Sequence, residues 1–99
     1  MRLFHITTAQ AWESAKAAGE YRAPSLDTEG FIHLSNEQQW PRTLERFFKG
    51  KTGLVLLELD EAKLHAPLKL EPNDGDVFPH LYGPLNLDAV IAVQPLKGG

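Results

Sequence analysis

The sequence predicts an α+β fold: a single domain over residues 1–99 in which a mixed, split β-sheet carries two main helices. Three observations predict it. The order of elements is strand, helix, strand, helix and then strands almost alone, which argues against a doubly wound parallel sheet. A content of 42% hydrophobic and 23% charged residues over 99 positions suits one globular core. No repeat, low-complexity stretch or linker interrupts the chain.

Residues 3–6 read as a first strand. Thr7 and Gln10 then stand at the spacing of a capping box, in which each side chain satisfies the other residue's free N–H. The helix that follows places Trp12, Ala15 and Ala18 on one face, and Gly19 stops it. Residues 21–29, with Pro24, Ser25 and Asp27, read as a loop. Gly30 opens a second strand over residues 31–35. Ser35 and Gln38 repeat the capping spacing, a tight turn occupies residues 36–39, and a helix covers residues 41–49. Its stripe of Trp40, Leu44, Phe47 and Phe48 has helical period, so these aromatics and Trp12 belong in the core.

Residues 54–59 form a nearly unbroken apolar run, as expected of a central strand covered on both faces. Residues 60–64 make a helical turn capped by Asp60. Leu68 and Leu70 alternate with Lys69 and Glu71, predicting a half-buried strand. Residues 72–76 read as a turn, and residues 78–84 place two prolines and a glycine around His80 and Tyr82. Residues 88–93 make the last strand, and residues 97–99 a loose tail.

Composition excludes several functions. Without cysteine there is no disulfide, thiolate metal site or cysteine nucleophile. A net charge of -3 with no Lys/Arg cluster argues against autonomous nucleic-acid binding. The longest apolar run, residues 54–57, is strand-sized, so no membrane span is expected. The N-terminal residues lack the apolar stretch of a signal peptide, which makes the cytoplasm the default address. Neither G-x-S-x-G nor a P-loop occurs, nor HExxH or a His-x-His pair, so no serine hydrolase, P-loop NTPase or metal site is expected. Glu71, Asn73, Asp74 and Asp76 lack the closing glutamate of a calcium loop. The closing Leu96-Lys97-Gly98-Gly99 is similar to ubiquitin-like carrier tails, but those folds open with a hairpin.

The histidines carry the functional signal. Side chains alternate faces along a strand, so parity sets where each points. His5 shares a face with Leu3 and opposes Phe4 and Ile6. His33 shares one with Phe31 and Ser35 and opposes Ile32 and Leu34. Each strand therefore has an aliphatic face for the core and an opposite face bearing a histidine. His80 and Tyr82 share a side if their segment is extended. His5, His33 and His80 are thus expected to meet at one pocket, with His65 at the surface. A structural role in packing is the alternative for each.

Four segments together resemble one family, domain of unknown function 952. They are Phe4-His5-Ile6-Thr7 with Trp12 beyond it, Tyr21 ahead of Ser25-Leu26, Glu29-Gly30-Phe31-Ile32-His33-Leu34-Ser35, and Phe78-Pro79-His80-Leu81-Tyr82-Gly83-Pro84-Leu85. The resemblance implies a fold similar to ADP-ribosyltransferases, which bind NAD in a cleft of a split sheet. His5 and Thr7 fall where those enzymes carry a His-Gly-Thr segment, with Ile6 in place of the glycine. His33-Leu34-Ser35 resembles the His-Leu-Ser segment of bacterial RNA 2′-phosphotransferases. The resemblance implies His5, Thr7, Ser35 and Tyr82 as ligand-binding residues, with His5 on a ribose hydroxyl. It implies His33 and His80 as catalytic, and NAD as a ligand or substrate with no other cofactor. Glu29, Glu71 and His80 are candidates for the acceptor-orienting position, and Arg22 and Arg42 for the phosphotransferase arginines.

Three functions follow from these residues. One is a binding module, or transferase that has lost turnover, for an NAD- or ADP-ribose-related small molecule. The others are an active ADP-ribosyl or phosphoryl transferase and a structural or protein-interaction domain without ligand. Oligomeric state is left open.

Overall fold

The apolar run over residues 54–59 becomes the centre of the architecture. In the computed structural model, which describes residues 1–73 and 75–96, β4 (Leu54–Asp60) lies between β1 (Arg2–Thr8) and β8 (Val90–Leu96). A second sheet places β6 (Asp76–Leu81) between β3 (Ile32–His33) and β5 (Leu68–Asn73), while β2 (Glu20–Tyr21) pairs with β7 (Leu85–Asn86). One bridge joins the three-stranded sheets: Phe4 and Ser35 exchange both backbone hydrogen bonds at 2.8 Å. The chain is a small α+β domain with few helices. Every strand pair among the described residues is antiparallel, so the sheet is split but not mixed. The strands after β4 follow one another through short connections, and no crossover helix aligns two of them in parallel.

Both predicted caps sit one residue further along. β1 pairs with β4 through Thr8, so α1 (Ala9–Ala18) starts later and Thr8 Oγ1 accepts from Ala11 N at 3.0 Å. Ser35 is committed to the bridge with Phe4, so Asn36 caps instead. Asn36 Oδ1 accepts from Gln38 N and Gln39 N, and Gln39 Oε1 accepts from Asn36 N at 2.9 Å. α3 (Trp40–Phe48) follows. Gly19 at φ 89 ends α1 in a conformation that a side chain would oppose. The loop expected over residues 21–29 contains the end of β2 and a five-residue helix, α2 (Pro24–Thr28), with proline in its first turn. Asp60 caps a 3-10 turn over Glu61–Lys63, as predicted.

The expected division of each strand into core face and histidine face fails at β1, because both faces are covered. Leu3 points with Leu57 and Leu59 into the larger core beside Trp12, Ile32 and Leu34. Phe4 and Ile6 join Leu54 and Leu56 in a smaller core under Trp40, Leu44 and Phe48. His5 therefore lies on a core face and is buried. Phe47 is 61% exposed. Neighbouring helix residues diverge by about 100°, so Phe48 turned inward leaves Phe47 outward. Leu70, expected half-buried, is 55% exposed on the outer strand of its sheet. The predicted turn shortens to the connection between Asn73 and Asp76. Its Asp74, like the tail at residues 97–99, lies outside the described residues. Among the described residues no helix is long and apolar enough to cross a membrane.

Candidate functional site

The site begins where the bridge between the sheets stops. Phe4 turns its N–H and C=O away from β4 toward Ser35, and strand parity turns those of Ile6 the same way. Among the described residues no strand pairs with that edge beyond Phe4. The gap opens as a cleft of about 1180 Å³. β1 supplies its floor, α3 and the capping turn one wall, and α2 with the second sheet the other. His5, Thr7, Ser35 and His33 all line it.

His5 is held at both ring nitrogens. Nδ1 lies 2.7 Å from the backbone oxygen of His33, and Nε2 lies 2.8 Å from the Tyr21 hydroxyl, itself 3.0 Å from Thr7 Oγ1. Burial pushes the imidazole pKa down to about 4, against a supporting pull from the His33 carbonyl, so the ring is neutral near pH 7. The proton positions then follow. A carbonyl only accepts, so Nδ1 carries the single ring proton, Nε2 accepts from Tyr21, and Thr7 donates to the Tyr21 oxygen. Burial raises the Tyr21 pKa, while the bond with Thr7 lowers it. The floor thus presents hydroxyl oxygens with spare lone pairs, whereas His5 has no free nitrogen.

His33 points its ring to the other wall, with Nε2 2.9 Å from Glu29 Oε2 at half-exposed positions. Ser35 Oγ lies 3.3 Å from Thr43 Oγ1. Gln39, almost fully buried, clips this wall to the second sheet: its amide donates to Asp76 Oδ2 at 3.0 Å and to the Val77 carbonyl at 2.7 Å. Arg42 and Arg46 of α3 and Lys49 just after it line the cleft, together with the carboxylates of Glu29, Glu45 and Asp76.

His80 and Tyr82 stand apart from that lining. They share Glu71 Oε1, His80 Nδ1 at 2.8 Å and the Tyr82 hydroxyl at 2.5 Å. Those bonds, Tyr82's first, hold the Glu71 carboxyl below its usual range, and the same bond raises Tyr82. His33 and His80 are direct cross-strand partners with ring centroids 5.4 Å apart. The three histidines are therefore contiguous, with two at the cleft and the third behind. Arg22 pairs with Glu20 and Asp27 and does not line the cleft, while Arg42 does. His65 is exposed, as expected. Sequence reasoning names Tyr21 only among the residues that carry the family resemblance and assigns neither it nor Gln39 to the site, since an aromatic after a helix stop and a glutamine in a turn carry no distinguishing pattern.

The description "Protein of unknown function (DUF952)" matches residues 6–93. The chain belongs to this family. No curated protein matches it. It is similar in fold to protein CC0527 of Caulobacter crescentus. The crystal structure of CC0527 shares 34% identity with a TM-score of 0.90, covering 98% of this chain and 87% of that one. The solution NMR structure of CC0527 shares 35% identity with a TM-score of 0.83, covering 97% and 84%. The architecture thus extends over almost the whole of this chain.

Proposed function

We propose that this family member binds a nucleotide-like small molecule of the NAD or ADP-ribose class, as a binding module on an ADP-ribosyltransferase-like scaffold. The observation that carries this reading is the convergence of the Thr7–Tyr21–His5 network and His33 on one cleft that also holds Arg42 and Lys49. A volume near 1180 Å³ is at the scale of sites that enclose drug-sized ligands, typically about 300–1,000 Å³. Ribose hydroxyls donate to the Tyr21 and Thr7 oxygens, with Ser35 alongside. His5 acts by fixing Tyr21 rather than by touching the ribose. Arg42 and Lys49 face the phosphates, cations interspersed with Glu29, Glu45 and Asp76 in the lining.

The pair of Glu29 and His33 favours a second reading, a transferase in which His33 exchanges a proton with the ligand while Glu29 holds its ring. Calorimetric titration with ADP-ribose and NAD, with chromatography of the mixtures, separates the two. The binding module predicts saturable heat that weakens in His33→Ala and unchanged ligand after prolonged incubation. Conversion of NAD replaces it with the transferase. Absence of heat with either compound at millimolar concentration refutes both.

A further inference from the structure

Behind His33, His80 carries a polar atom with no partner among the described residues. Its Nδ1 is held by the Glu71 carboxylate, which can only accept, so the ring's other polar atom is Nε2. That nitrogen is buried and unbonded, and the residue is 4% exposed. Buried polar groups are nearly always satisfied, and the exceptions tend to have a use.

Phe31 covers the ring. Its own ring stacks on His80 at 4.0 Å and 20°, meets His33 edge-on at 4.8 Å, and lies 5.3 Å from Tyr82. Phe31 is only partly buried, and Glu29 and His33 on either side of it line the cleft. On β6, His80 shares a face with Phe78, which also lines the cleft. The Phe31 ring therefore covers one face of the His80 ring, next to residues that line the cleft, while His33 stands edge-on to His80 at 5.4 Å. Tyr82, bonded to the same carboxylate oxygen and lying under Lys69 Nζ at 4.8 Å, fixes Glu71 from the far side.

We propose that His80 Nε2 is a second contact point of the cleft, accepting a hydrogen bond from a ribose hydroxyl of the ligand once the Phe31 and His33 rings packed on it turn aside. This rests on the nucleotide reading above. Glu71 sets the tautomer, leaving Nε2 a lone pair for a protic group when the ring is neutral. The displaced Phe31 ring keeps a face on which a planar base can stack.

The test uses the full chain labelled with 15N-histidine, at an alkaline pH where free imidazole is neutral. His80 is expected as the Nδ1-protonated tautomer. ADP-ribose should shift its Nε2 resonance toward the hydrogen-bonded position while leaving Nδ1 fixed. In parallel, diethyl pyrocarbonate should modify exposed His65 but spare His80. Phe31→Ala should raise His80 modification about tenfold by removing its local cover, and ADP-ribose should suppress the gain. If that variant does not fold, the wild-type titration decides alone. A shift of His33 without any change at His80 Nε2 overturns this inference and leaves the cleft reading intact. Absence of a shift at both histidines overturns the two together.

Discussion

His5 Nδ1 and the backbone oxygen of His33 lie 2.7 Å apart, tying β1 to β3 beside the point where their ladder stops. The bond closes one end of a chain of polar groups, Thr7 to Tyr21 to His5, inside an otherwise apolar layer. It also requires a neutral ring with a defined tautomer, from which the first prediction follows.

Stability should fall with acid in a window set by His5. In the unfolded chain the imidazole takes a proton near 6.5, but in the folded chain only near 4. Between these values the unfolded state holds more protons, so stability rises with pH. The contribution is fully present above 6.5 and is lost as pH falls toward 4, amounting to about 3 kcal/mol. Denaturant unfolding across this range should show that loss. His5→Gln, which keeps a donor and an acceptor but does not titrate, should remove most of the slope.

Tyr21→Phe should cost about 1–3 kcal/mol, because it leaves His5 Nε2 and Thr7 without their partner. Thr7→Val removes one link of the same chain. In a double-mutant cycle read by urea unfolding, the two losses should fall short of additivity by at least about 0.5 kcal/mol. Full additivity would mean that the three groups do not act as a unit.

Gln39→Ala releases the clip between the capping turn and β6. The Asp76 carboxyl, now held below its usual range chiefly by the Gln39 amide, should titrate higher in a carboxyl NMR titration. Amide exchange in the strand after Asp76 should quicken, since Gln39 Nε2 also satisfies the Val77 carbonyl.

Arg42→Ala should weaken ADP-ribose binding by about tenfold, equivalent to about 1.4 kcal/mol, and flatten the salt dependence of the affinity. Binding of free ribose should not change. Calorimetry at two ionic strengths checks both.

How far the sequence carries can be seen residue by residue. The apolar run over residues 54–59 has no polar face, so its central place in a sheet was legible, as was Asp60's cap. Asn36 and Thr8 took the caps assigned to Ser35 and Thr7, because strand pairing had already engaged those residues. Local spacing cannot register that. Both His5 and His33 line one cleft, but pleat parity misjudged what surrounds His5, since the larger core around Leu3, Trp12 and Ile32 covers its own face of β1 while α3 covers the other. Phe31's cover over His80 depends on a cross-strand register that only the folded chain reveals.

The most direct measurement is an NMR titration of the labelled wild-type chain with ADP-ribose, following the imidazole resonances of His5 and His33 together. Binding in the cleft moves both with one saturation curve, while exposed His65 stays still. If His5 and His33 hold their positions at millimolar ligand, the cleft is not a nucleotide site and its polar floor serves the fold alone.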